Sequence, residues 1–130
     1  MKKILIAGGS GFIGTNFINL LSKKKHTILN IDKMSKISTP EKFKIIENKK
    51  KYFFFKDNLK NSKKIDKIIE KFKPHLIVNF AAESHVDRSI NNPVYFIKNN
   101  INSSTNLFFS YSKFFKKKKI KLFHISTDEV

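Results

Sequence analysis

Apolar residues recur along the chain in two alternating rhythms. Residues 2–7 close on a short, continuous apolar run, Ile4 to Ala7, that stops at glycine, as a strand buried on both faces would. Residues 12–24 follow a helical period, with Ile13, Phe17, Leu20 and Leu21 on one face. Residues 27–32 return to a strand pattern. Residues 33–50 are polar and Lys-rich, and Pro40 marks the expected start of a short helix. Residues 51–56 carry Tyr52 and three successive Phe, a third strand by β-propensity. Asn61 or Ser62 is suited to cap a helix in which Ile65, Ile68, Ile69 and Phe72 keep 3.6 spacing, and Pro74 ends it. Residues 75–82 form a fourth, nearly all-apolar strand. Asn92 caps and Pro93 starts a long helix running to about Phe115. Residues 120–127 complete a fifth strand. Strands alternating with helices predict an α/β domain with a parallel sheet covered on both faces.

Composition changes this picture little. The 130 residues suit one domain, and 40% of them are hydrophobic, 14 of them Phe. The Phe residues at 53–55 and 108–109 are expected in the core. With no Cys there is no disulfide framework and no thiolate metal site. His26, His75 and His124 have no metal-ligand spacing and read as structural, so no metal is expected. The apolar run after Met1 is too short for a signal peptide, and no stretch nears the roughly 18 apolar residues of a membrane span. A soluble, cytoplasmic protein is the expectation.

The formal charge of +17 invites a nucleic-acid reading. Lys and Arg together number 27, however, and Arg88 is the single Arg. Arg supplies the bidentate contacts by which bases and phosphates are recognised. Lys, Asn, Ile and Phe are all residues of AT-rich codons, which accounts for much of the charge without a nucleic-acid partner. The Lys clusters read as solvated surface that attracts anions from a distance.

The chemistry concentrates in one turn. Gly8-Gly9-Ser10-Gly11-Phe12-Ile13-Gly14 joins the first strand to the first helix. It holds GxGxxG as Gly9, Gly11 and Gly14, and GxxGxxG as Gly8, Gly11 and Gly14. A pyrophosphate there needs a tight turn, close backbone approach and helix N–H groups aimed at the anion. Asp32 ends the second strand about 20 residues on, where an acid accepts hydrogen bonds from the adenine ribose. Its charge opposes a 2′-phosphate and so favours NAD over NADP, a preference that Lys33 beside it weakens. Together these features specify a Rossmann-type doubly wound parallel sheet of five strands, order 3-2-1-4-5, truncated after the fifth strand.

Three further segments carry a resemblance. Ala81-Ala82-Glu83-Ser84-His85-Val86-Asp87-Arg88-Ser89-Ile90 follows the fourth strand, Asn100-Ile101 lies in the long helix, and His124-Ile125-Ser126-Thr127-Asp128-Glu129-Val130 ends the chain. With the glycine turn, they resemble the extended short-chain dehydrogenase/reductase superfamily and, within it, the dTDP-glucose 4,6-dehydratase family. Those enzymes oxidise the sugar at C4 with bound NAD, eliminate water across C5–C6 and return the hydride to C6. Other nucleotide-sugar epimerases and dehydratases of the same fold, and a non-catalytic NAD-binding remnant, are the alternatives.

The resemblance implies roles at matching positions. Gly8, Gly11, Phe12, Ile13 and Gly14 would meet the cofactor at its pyrophosphate, and Asp32 and Lys33 the adenosine ribose. Asp57 and Asn58 would lie near the adenine, and Phe80, Ala81 and Ala82 along the nicotinamide. Asn99 stands beside the cofactor where the family often has Thr, and Ser84 in the sugar pocket. Thr127 would hydrogen-bond the C4 oxygen, Asp128 would protonate the departing C6 hydroxyl, and Glu129 would take the C5 proton. Two carboxyls can divide acid and base work when their surroundings separate their pKa values. His85 and Arg88 suit sites that position the loop as well as they suit direct contacts.

In the family a Tyr-x-x-x-Lys pair on a helix beyond the fifth strand deprotonates the C4 hydroxyl. The one such spacing here, Tyr52 and Lys56, lies on a predicted strand and is expected to play no such part. Residues 1–130 are thus expected to be a single NAD-binding domain that lacks the sugar-nucleotide domain and does not complete the reaction alone. The family is homodimeric through the long helix. Phe108 and Phe114 on that helix are expected to lack cover, and the fifth strand to be an exposed edge.

Overall fold

The computed structural model describes residues 1–34 and 49–126. Strands β1 (Lys3–Ala7), β2 (Thr27–Asp32), β3 (Tyr52–Lys56), β4 (Leu76–Asn79) and β5 (Lys121–His124) form one sheet. All neighbours are parallel and the order is β3-β2-β1-β4-β5, as the alternation and glycine turn predict. The helices are α1 (Phe12–Ser22), α2 (Ser62–Phe72), α3 (Val86–Asn91) and α4 (Pro93–Lys118).

Two cores explain the apolar run of β1. Ile4 and Ile6 point to one face, where they pack with Ile18 of α1, Ile28 and Val78. Leu5 and Ala7 point to the other, against Ile65 and Ile69 of α2 and Leu107 of α4. Alternate strand residues face opposite sides, so a central strand covered on both must be apolar throughout. Each such fully buried Leu or Ile contributes roughly 1.5–3 kcal/mol.

Helix ends follow local chemistry. Asn61 caps α2, its side chain accepting from the Lys64 N–H at 3.3 Å. Asn92 caps α4 in the same way, accepting from the Tyr95 N–H at 3.2 Å, and Pro93 occupies the first turn. Helix α1 ends at Ser22, two residues early, where the Lys24 N–H closes a turn on the Leu21 carbonyl.

Several expectations need correction. The fourth strand stops at Asn79 rather than 82, because the Asn79 carboxamide accepts from the Ala81 N–H at 3.0 Å and turns the chain out of the sheet. The fifth stops at His124. Helix α3 was not expected; its side chains are mostly exposed, so it has no apolar face to betray it. Phe53, Phe54 and Phe55 are not core: β3 is an edge strand, and they are 51%, 42% and 41% exposed. Phe109 is also exposed. Conversely, Phe114 packs on the α2–α4 core and Phe108 meets the His124 ring edge-on, so neither lacks cover. Among the described residues, the exposed large apolar side chains of α4 are Val94, Tyr95, Ile97, Ile101, Phe109 and Phe115. Strand β5 is an edge, with Phe123 exposed. The short helix expected from Pro40 lies outside the described residues.

Candidate functional site

Sheet order reverses between β1 and β4, and the turn after β1 sits at that switch point, where ligands of such sheets bind. The glycines of the turn have different reasons to be glycine. Gly8 has φ +75°, and a Cβ there would lie 2.5 Å from the Ala81 nitrogen. A Cβ on Gly14 would lie 2.6 Å from the Gly8 carbonyl oxygen and from the Gly9 Cα. Both are demanded by packing. Gly11 is not: it has an ordinary φ of −74°, and its nearest neighbour would be the Gly8 oxygen at 3.6 Å. A side chain there would project into open space on the cleft wall. Gly11 also supplies no side-chain cap to α1. The open cradle at a helix N-terminus fits an anion that approaches the backbone closely.

The turn is locked to β2 by two buried polar residues. Asp32 Oδ2 accepts from the Ser10 N–H at 2.9 Å, and its Oδ1 accepts from the Met34 N–H at 2.8 Å. Asn30 accepts from the Gly9 N–H at 3.0 Å and donates to Ser10 Oγ at 3.3 Å and to the Tyr52 hydroxyl at 3.0 Å. Asn30 is fully buried. Burial pushes the Tyr52 phenol above its ordinary value, against a smaller opposing pull from the Asn30 hydrogen bond. Sequence reasoning passed over Asn30. Its signal is a polar residue at an inward position of an otherwise apolar strand.

A cleft of about 310 Å³ opens above the turn. Its wall brings together Gly8, Gly11, Phe12, Asp32, Lys33, Asp57, Asn58, Phe80, Ala81, Ala82, Ser84 and Asn99, all singled out from the sequence. Ile13 is exposed and Gly14 is buried beneath the turn; neither lines the cleft. Thr127, Asp128 and Glu129 lie outside the described residues. Ile31, Leu59, Glu83 and Ser103 also line it and were not foreseen there, and so does His85, for which a direct contact and a loop-positioning part were equally open.

Asp57 and Asn58 follow β3 and fold the next loop onto themselves. Asp57 Oδ1 accepts from the Leu59 N–H at 3.0 Å, and Asn58 Oδ1 from the Lys60 N–H at 3.1 Å. On the opposite side, Asn100 of α4 clasps Glu83 twice. Its carboxamide accepts from the Glu83 N–H at 2.7 Å and donates to the Glu83 carbonyl at 3.0 Å. The Glu83 carboxylate pairs with the Lys33 ammonium. Asn99 is buried and lines the cleft, and its backbone carbonyl accepts from the Ser103 hydroxyl at 2.5 Å. Ser84 and His85 are exposed at the rim.

The remaining histidines have structural partners. His75 Nδ1 accepts from the Lys3 N–H at 3.0 Å, His26 Nδ1 from the Lys2 N–H at 3.4 Å, and His124 Nδ1 contacts Asn79 Nδ2 at 3.0 Å. Tyr52 and Lys56 are the first and last residues of strand β3 and lie on no helix. Among the described residues there is no cluster of three or more potential metal ligands, and no helix long and apolar enough to cross a membrane.

Known proteins share this arrangement. The family model described as GDP-mannose 4,6 dehydratase matches residues 5–130. The dTDP-glucose 4,6-dehydratase of Salmonella typhimurium is 37% identical over 135 residues, covering 98% of this chain and 37% of that protein. The structure of dTDP-glucose 4,6-dehydratase from Bacillus anthracis in complex with NAD superposes with a TM-score of 0.83 at 30% identity, covering 100% of this chain and 39% of that one. A UDP-Glc/GlcNAc 4-epimerase from Campylobacter jejuni has a TM-score of 0.84 at 29% identity, with coverage of 98% and 38%. The chain therefore spans less than half the length of the relatives it matches, and its sheet is of the Rossmann type they share.

Proposed function

The chain belongs to the family described as GDP-mannose 4,6 dehydratase, and from that premise we propose that it is the dinucleotide-binding unit of an NAD-dependent nucleotide-sugar dehydratase acting on dTDP-glucose. The observation that carries this reading is Gly11. Packing explains Gly8 and Gly14 but leaves Gly11 open, and a ligand pressed against the turn accounts for a glycine there. The acid at the end of β2 and Asn99 in the same cleft support it.

In this reading Gly8, Gly11 and Phe12, at the first turn of α1, hold the pyrophosphate, and Ile13 and Gly14 complete that turn without lining the cleft. Asp32 orients the adenosine ribose, and Asp57 and Asn58 border the adenine. Phe80, Ala81, Ala82 and Asn99 line the nicotinamide side, and Ser84 at the rim meets the sugar. NAD, when bound, supplies the hydride acceptor and donor. Thr127 would hydrogen-bond the C4 oxygen. Once C4 is a ketone it acidifies the C5 proton, which Glu129 takes, while Asp128 gives a proton to the leaving C6 hydroxyl. The exposed apolar residues of α4 support a homodimer, and the proposed location is the cytoplasm.

The test is a calorimetric titration of NAD into the protein and its Gly11→Val variant. Saturable binding by the first and none by the second is the expected result. Absence of binding to the unaltered protein would refute the cofactor reading. If the surface charge serves nucleic acid instead, DNA binding with a steep salt slope will appear in its place.

A further inference from the structure

We propose that Glu83 is a specificity-determining residue, which draws the Lys33 ammonium across the cleft and so denies a cation to the 2′-phosphate of NADP. This deepens the cofactor reading above and rests on it.

A 2′-phosphate presented beside Asp32 meets a buried carboxylate. It can be accepted only if a nearby cation compensates. Lys33, the next residue, is the one Lys or Arg among the described residues of the cleft wall. By position alone it would serve that purpose. Its ammonium is engaged elsewhere. It pairs with the Glu83 carboxylate, lies 3.4 Å from the Tyr95 hydroxyl, and sits 5.7 Å from the centre of the Tyr95 ring. Lys33 leaves the end of β2 and Glu83 follows β4, with β1 between those strands, so the pair spans the crevice.

Glu83 is a fixed anchor. Its side chain is only 7% exposed, and Asn100 holds its backbone in both directions. For Lys33 to swing to a phosphate, a buried carboxylate would lose its partner, which is strongly unfavourable. Among the described residues, the ribose wall therefore presents Asp32 with no available cation beside it. The side chain that the sequence offers as weakening NAD selectivity is neutralised by a residue 50 positions away.

The experiment measures Kd for NAD and for NADP with the full chain and three variants: Glu83→Gln, Glu83→Ala, and Glu83→Gln combined with Lys33→Met. The ratio within each variant is the readout, since a general loss of fold weakens both ligands alike. In both single variants the ratio is expected to move toward NADP by about fivefold or more, the scale of one partly exposed ion pair. The gain should shrink with added salt and vanish when Lys33 is replaced by Met. An unmoved ratio in the single variants, or a shift that survives loss of Lys33, would overturn the proposal while leaving NAD binding intact. If the unaltered protein binds neither dinucleotide, the cofactor reading fails and takes this proposal with it.

Discussion

The Ser10 N–H donates to Asp32 Oδ2 at 2.9 Å, tying the glycine turn to the last residue of β2. Asp32 thus has two tasks: it holds the shape of the turn and it offers its remaining lone pairs to the cleft. Asp32→Ala is expected to lower stability by about 1–3 kcal/mol, because the Ser10 and Met34 N–H groups lose their acceptor. NAD affinity should fall with it. Asp32→Asn keeps one good acceptor and should recover part of the stability but little of the affinity. Urea melts and calorimetry on both variants check this; unchanged stability in Asp32→Ala would contradict the structural task.

The glycines should separate by cause. Gly11→Ser places a hydroxyl at the uncapped N-terminus of α1, in extended backbone that suits a cap. Stability should hold or rise by up to about 1 kcal/mol, while NAD affinity drops by roughly an order of magnitude or more as the cradle fills. Gly14→Ala should do the reverse damage first, losing about 1–3 kcal/mol because its Cβ meets backbone that cannot yield. Thermal melts beside NAD titrations give the comparison. A Gly11→Ser protein that binds NAD normally would remove the reason for a glycine there.

Asn30 should be costly to replace. Asn30→Leu strands the buried Gly9 N–H and removes the bonds to Ser10 Oγ and the Tyr52 hydroxyl, and a loss of about 2–4 kcal/mol is expected. Tyr52→Phe removes one of these bonds and should cost only about 1 kcal/mol. Chemical denaturation should rank the two variants in that order.

Helices α2 and α4 are joined by an ion pair, Lys113 Nζ to Asp66 Oδ2 at 2.6 Å. Burial pushes the Asp66 carboxyl up, but hydrogen bonds from Lys113 and Ser110 and the Lys113 charge outweigh it and hold it below its ordinary 3.8. A depressed carboxylate pKa stabilises the fold above that ordinary value. The stabilisation fades as pH falls from there through the folded pKa. Lys113 is half exposed, so the contribution is about 0.5 kcal/mol. Lys113→Met should flatten this acid-side slope in melts from pH 7 downward, lowering stability by about 0.5 kcal/mol at neutral pH and leaving the acid limit unchanged.

Much of this was legible in residue order. Period, glycine and proline are local signals, so the β2 boundaries and the Asn92-Pro93 start of α4 match the structure. The fourth strand was overextended because Phe80, Ala81 and Ala82 are as apolar as a strand, while the bond that ends it comes from the Asn79 side chain. The Phe run of β3 misled for a related reason. Apolar character indicates a strand but not whether that strand lies at the centre of a sheet or at its edge, which depends on the order of all five.

The sequence by itself determined the strand order, the parallel sheet and its switch point, because the spacing of glycines and acids around a strand–turn–helix unit leaves few ways to fold, and its family resemblance picked out most of the residues that gather around the cleft. Only the tertiary structure decided which glycine packing requires and which it leaves open. It alone showed that Asn30 holds the turn and that Lys33 turns toward Glu83. Those outcomes depend on distances between side chains far apart in the chain, set by sheet pairing and helix packing together.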